Sequence, residues 1–356
     1  MEELFITETR ARLRTLLAVG YALFIVYVSL SPFSGWREQG LEFGDVLLSP
    51  WSLTFTSFDS IVNLLAYIPF GLLVGLALRA RFSPGVSMLV GMACGLSLSM
   101  GMEYLQMYLP QRNSSNVDIL TNGAGMLLGL LLAMRLTAWP WMFVRLLRWR
   151  SRAFRHGVEM DFGLALLVLW VFGQINPSLP MLGNVFITDA LHQPFVPAAH
   201  DLFDWWESLA VMLNLLMPGV LLVTVLRVRQ HILTGLLLAL VLVASAKFIA
   251  AAFLLKSWAL LLWVNSEAML GMLLGMLSLR GVQYASRKEL IRFGATVTIA
   301  YLLIVNFVVD SNTPAAAMSV YHWHYGHLLN YNGLAQTITI VFPVLLLFHL
   351  WRIRHV

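Results

Sequence analysis

Glu103, Gln106, Arg112, Asp118 and Asn122 lie within the single stretch EYLQMYLPQRNSSNVDILTN of a chain that is otherwise mostly apolar. Two carboxylates, two amides and a guanidinium so close together permit two chemistries. They can hold a polar head group through hydrogen bonds and ion pairs. Alternatively, Glu103 or Asp118 can act as a general base while Arg112 stabilises developing negative charge. Asp59 and Asn63, one helical turn apart in FDSIVNLLAYIPFG, add a third source of polar side chains.

The elements that must position these groups follow from composition. Of the 356 residues, 59% are hydrophobic and 12% charged, and mean hydropathy is +0.77. Soluble domains are about 25% charged. The sequence therefore predicts an all-α, polytopic transmembrane bundle with little soluble mass. The net charge of +5 does not imply nucleic acid, because the basic residues are confined to short segments between apolar runs. Cys94 is the single cysteine, so an intrachain disulfide is excluded.

Ten apolar runs have the length of a span: about 15–33, 60–78, 84–107, 117–136, 160–176, 206–226, 231–254, 258–279, 293–310 and 335–351. Placing the N-terminus in the cytoplasm puts 19 of the 23 Lys and Arg on the cytoplasmic side and three outside (Arg37, Arg112, Lys256), with Lys247 inside a span. That bias sets the expected orientation, with both termini cytoplasmic. The apolar run after Arg10, Arg12 and Arg14 is long for a signal sequence, and no small-x-small site follows it, so it reads as an uncleaved first span. The basic run Arg145–Arg155 reads as a topology determinant in contact with anionic lipid.

Within this frame, LPQRNSSN is a short outer turn between the third and fourth spans. Ser99, Glu103 and Gln106 fall on one helical face, and Asp118, Asn122, Gly125 and Gly129 on another. Gly125 and Gly129 form a GxxxG pair, which admits a neighbouring helix closely. The second span begins at the same boundary with Asp59 and Asn63. These side chains are expected to converge on a polar pocket open to the outside, because a carboxylate costs about 2.5–3.5 kcal/mol near mid-bilayer unless it faces partners or water.

An internal repeat is also expected. GMLLG occurs at 125–129 and 271–275, Pro69 corresponds to Pro218, and Pro32 to Pro177, at offsets of 145 to 149 residues. FPVLLLFHLWRIR echoes MPGVLLVTVLRVR. The reading is 4+4+2: a four-span unit over 1–156, a degenerate second copy over 157–292, and a two-span half copy over 293–356. The polar set is not duplicated, since Glu103, Asp118 and Asn122 correspond to Ile249, Val264 and Ala268. The second copy is therefore expected to be a structural or partner-facing half.

Asp59, Asn63, Pro69 and Gly71, then Glu103 and Gln106 in E-x-x-Q, then Arg112, Asp118, Asn122 and Gly125 give residues 15–140 a pattern that resembles the VanZ-like family of bacterial membrane proteins. The resemblance implies a role at the cell envelope, in the bacterial inner (cytoplasmic) membrane, of the kind associated with low-level teicoplanin resistance. One departure stands out: family members often carry a basic residue or histidine where the second span begins, and here that region offers Asp59 and Asn63.

Other motifs carry less. His322, His324 and His327 have no acidic or cysteine ligand beside them and sit among Tyr321, Trp323, Tyr325 and Tyr331, an interfacial aromatic belt rather than a metal site. The outer segment 176–205 carries Asp189, His192, His200, Asp201 and Asp204 and lacks Lys and Arg. No phosphate-binding Gly-rich loop, Ser-His-Asp set or Cys-based metal site is present, and no cofactor is expected. Expected partners are membrane lipid and a lipid-linked glycan or glycopeptide, bound by Asp59, Asn63, Gln106, Arg112 and Asn122. Glu103 and Asp118 are the candidate catalytic pair if the protein is instead an enzyme. A solute transporter ranks last, because only glycines and aliphatics continue inward from Asn122.

Overall fold

The computed structural model describes residues 2–49, 57–187, 203–309, 313–323 and 326–354, without the side chains of 2–11, 57–59, 140, 142, 143, 146, 326 and 327. Among the described residues it is all-helical and divides into two compact units, Met1–Ser151 and Arg152–Val356. Eight helices are long and apolar enough to cross a membrane. The fifth and eighth expected spans correspond to shorter helices of 16 and 17 residues.

The N-terminal unit contains α1 (Glu2–Leu30), α2 (Phe43–Leu48), α3 (Ser57–Leu78), α4 (Pro84–Gln106), α5 (Asn116–Ala138) and most of α6 (Pro140–Ala153). Its most extensive contact joins α3 and α5. Small residues allow it: Cβ atoms added at Gly125 and Gly129 would strike the Leu64 and Ile68 carbonyl oxygens, and one at Gly71 would strike Met126 O. These backbones meet directly, the close approach that GxxxG permits. On α4, Ser87, Gly91, Gly95, Ser99 and Glu103 recur every fourth residue, and all are buried. Leu130 and Met126 of α5 fill the spaces over Gly91 and Gly95. Glu103 thus ends a stripe of otherwise small residues.

The arginine-rich segment after α5 is helical. In α6 and beside it, Trp139, Trp141, Val144 and Trp149 are exposed, on a helix that also carries Arg145, Arg148, Arg150 and Arg152. Aromatic and basic residues together suit a helix lying at a membrane surface.

The C-terminal unit contains α7 (Val158–Gly173), α8 (Trp205–Val225), α9 (Ile232–Leu254), α10 (Ser266–Val282), α11 (Arg287–Phe307) and α12 (Gly326–Arg354). α8 is its axis and touches the other five. Of its membrane-length window, 89% is buried, against 39% for α5, so α8 is a core helix surrounded by protein. Gly271 of α10 approaches Ser208 O of α8, whereas Gly275 meets chiefly the Leu215 side chain.

Residues 175–187, expected in part as an outer loop, instead pack non-helically inside the unit, with Asn176, Ser178, Leu182 and Phe186 all buried. Non-helical backbone inside a membrane protein needs internal hydrogen-bond partners. Lys247, 1% exposed, donates to the carbonyls of Asn176 (2.8 Å), Leu179 (2.8 Å) and Pro180 (3.2 Å). Asn214 Nδ2 donates to Leu182 O at 2.8 Å. Glu207 Oε1 accepts from the Asn184 N–H at 2.9 Å. Asn332 Oδ1 accepts from Asn176 Nδ2, Ser178 Oγ and Tyr321 Oη. The second unit therefore contains a buried polar core of its own.

Candidate functional site

The end of α4, the turn 107–115 and the start of α5 bring the candidate residues together. Ser115 is the N-cap of α5, its hydroxyl accepting from Val117 N at 3.1 Å. Asp118 sits in the first turn, three residues on, as in a capping box. Here Glu103 accepts the N-cap amide: Ser115 N–H donates to Glu103 Oε2 at 2.9 Å. Ser114 Oγ donates to the Glu103 carbonyl at 2.7 Å, which closes the hairpin. Glu103, 4% exposed, lies near enough to Asp118 and Arg112 for their charges to act on it. The positive end of the α5 dipole eases the approach of two carboxylates.

One turn further in, Asn122 Nδ2 donates to Ser99 Oγ at 3.0 Å. Its Oδ1 is buried and has no hydrogen-bond partner. Tyr67, on α3, bonds to Ser99 and feels the Glu103 charge. The candidate list from sequence omits Tyr67, although it lies one turn from Asn63 on the same helical face. Asn63 itself is half-buried. Asp59 lies in the first turn of α3, and its side chain is outside the described residues.

Gln106 and Arg112 take a different position. α1 ends at Leu30, so its last carbonyls lack intrahelical donors. Gln106 Nε2 donates to Ser29 O at 3.0 Å and Arg112 donates to Val28 O at 2.7 Å. A cation there also faces the negative end of the α1 dipole. Burial lowers the Arg112 pKa from its ordinary value of 12.5, and the Glu103 charge opposes that shift. Both residues tie the hairpin to α1, so the innermost polar group consists of Glu103, Ser99, Asn122 and Tyr67, with Asp118 beside it.

Beneath Asn122 the interface closes. Met126 and Leu130, both fully buried, lie against Gly95 and Gly91, and no polar side chain continues the set inward until Ser87 at the far end of α4.

Among the other sequence candidates, Asp189, His192, His200, Asp201, His324 and the side chain of His327 lie outside the described residues. His322 is exposed. Among the described residues no group of three or more His, Cys, Asp or Glu is placed to hold a metal ion.

The fold defines a multi-pass helical protein of membrane-like architecture, with a buried polar cluster at one helical hairpin. Residues 8–139 match the family model described as VanZ/LLP1, so the N-terminal unit carries a VanZ-like domain. The matched region contains α3, α4, α5 and the whole cluster, and it ends before α6. No curated protein matches the chain, and no solved structure does.

Proposed function

We propose that this is a bacterial cell-envelope protein of the cytoplasmic membrane whose N-terminal unit binds the polar head of a lipid-linked glycan or glycopeptide. In this reading the α4–α5 hairpin faces outward and both termini are cytoplasmic, as the arginine distribution favours. The observation that carries the reading is Asn122 Oδ1, a buried acceptor left unpaired one helical turn further in than Glu103. An unpaired buried acceptor costs about 1–3 kcal/mol, and a hydroxyl or amide donor from a ligand would remove that cost. Glycans and glycopeptides are rich in such donors. Glu103 and Asp118 supply further acceptors, while Gln106 and Arg112 hold the hairpin against α1.

The test is a teicoplanin-susceptibility assay in cells producing the full chain, paired with capture of a photoreactive teicoplanin or lipid-linked glycan probe. Asn122→Leu removes the acceptor and should abolish both capture and any protection, at unchanged membrane abundance. Undiminished capture by that variant would remove the basis for the proposal.

A second reading rests on the closeness of Glu103 and Asp118: a membrane-embedded enzyme in which one of these carboxylates is the general base. Glu103→Gln and Asp118→Asn separate the two readings. Loss of turnover with capture retained favours the enzyme; joint loss favours the binding protein. Solute transport has the least support, given the apolar closure below Asn122.

A further inference from the structure

We infer that the C-terminal unit holds a separate binding cleft for a neutral sugar residue. The cleft lies between the 179–186 segment, the end of α11 and the middle of α12, and its walls include Asn184, Phe186, Asn306, Gln336, Thr339 and Ile340. No charged side chain lines it. Asn306, one residue before the end of α11, is exposed, so the cleft opens to the outside of the unit at that helix end.

Its central polar group is held in place. The Asn184 backbone N–H is bound by the buried Glu207 carboxylate at 2.9 Å. The Asn184 side-chain oxygen accepts from Tyr301 Oη at 2.8 Å. That leaves Nδ2 as a buried donor with no acceptor, on a residue only 6% exposed. Asn306 Nδ2 is already engaged by Leu302 O at 2.8 Å, which leaves its oxygen to accept. Gln336 is half-buried and offers both a donor and an acceptor. Thr339 donates to Gln336 O at 2.6 Å and retains acceptor capacity.

An uncharged ligand suits this cleft best, because no charged side chain lines it to pair with an ionic group. It must accept from Asn184, donate to Asn306, and present an apolar surface to Phe186 and Ile340. A pyranose combines these properties, since each hydroxyl both donates and accepts and its C–H faces are apolar. A purely aliphatic chain leaves Asn184 and Asn306 unpaired, and a charged head group offers no apolar face to Phe186 and Ile340. The inference does not depend on the N-terminal reading.

The test uses the full chain in nanodiscs free of glycoside detergent, with saturation-transfer NMR to methyl β-glucoside and methyl N-acetyl-β-glucosaminide. An N-acetyl dipeptide amide and glycerol phosphate serve as comparison probes. Glycosides should receive saturation, and affinity should fall at least tenfold in Gln336→Leu and in Asn184→Leu. Gln336→Leu breaks no side-chain hydrogen bond among the described residues, so the test stands even if Asn184→Leu fails to fold. Glycoside saturation that falls in Gln336→Leu reports this cleft, and photoprobe capture that falls in Asn122→Leu reports the N-terminal unit, so the two readings fail separately. Absence of saturation in the wild type, equal affinity in Gln336→Leu, or preference for the dipeptide amide or glycerol phosphate would each overturn it.

Discussion

Glu103 in the N-terminal unit and Glu207 in the C-terminal unit are both 4% exposed, and each carboxylate accepts a backbone N–H at 2.9 Å. Around them the units differ. Glu103 binds the N-cap of the next helix, within a unit whose buried backbone is almost entirely helical and satisfies itself. Glu207 binds residue 184 of a non-helical segment folded into the interior, where Lys247 and three asparagines supply the remaining partners. The comparison separates two uses of buried polarity. In the C-terminal unit most of it stabilises irregular backbone. In the N-terminal unit little irregular backbone is buried, and Asn122 Oδ1 is left without a partner beside a helical hairpin, as Asn184 Nδ2 is beside the irregular segment of the other unit.

If that contrast is right, Lys247→Met should be the most damaging single change in either unit. It leaves the buried carbonyls of Asn176 and Leu179 without a donor, while Pro180 O keeps the Gly183 N–H, a loss of about 4 kcal/mol. Unfolding in mixed micelles with increasing dodecyl sulfate measures it; a loss below that of Glu103→Gln would break the comparison.

Next come the glycine crossings. In Gly129→Ala the new Cβ meets Ile68 O and the Leu72 amide nitrogen, backbone atoms that cannot yield without separating α3 from α5. The expected loss is about 3 kcal/mol. Gly275→Ala meets Leu215 Cδ2 at 2.9 Å, the end of a side chain that can rotate, and the expected loss is about 1 kcal/mol. Equal losses in the same unfolding assay would mean the two crossings are packed alike.

Glu103→Gln and Glu207→Gln each retain an oxygen to accept the backbone N–H, so each should lose only about 1 kcal/mol of stability. Their functional effects should diverge: probe capture by the N-terminal unit falls in Glu103→Gln and persists in Glu207→Gln.

The last effect appears only at alkaline pH and concerns Tyr321, outside the membrane-length helices. Burial raises its phenol pKa above the ordinary 10.0. The folded state therefore holds this proton more tightly than the unfolded chain does. Its stabilising contribution is complete below pH 10 and is lost as pH rises further, by up to about 1.4 kcal/mol per pH unit for one proton. Alkaline thermal melts should show a shallower decline in Tyr321→Phe, and an unchanged slope would mean that Tyr321 is not so protected.

Much of the N-terminal architecture is legible in the sequence. The apolar runs locate α1, α3, α4 and α5, and the GxxxG pair anticipates direct backbone contact. Four-residue spacing puts Ser99 and Glu103 on one face and Asp118 and Asn122 on another, and the hairpin brings those faces together. These features are local, since helical periodicity and a short turn depend only on neighbours in the chain. The C-terminal unit was less legible. Residues 175–187 combine Asn, Pro and Ser with Leu, Met and Phe and show no period, so they read as an outer loop.

The sequence alone therefore determined the class of protein, the course of its helices and the hairpin that carries Glu103, Asp118 and Asn122. Only the tertiary structure decided which polar groups are already engaged. Gln106 and Arg112 serve the exposed carbonyl end of α1, and Lys247 serves carbonyls about seventy residues away in the chain. The physical reason is that a buried polar group's partner is set by which backbone atoms lack one in three dimensions, and no spacing along the chain reports that.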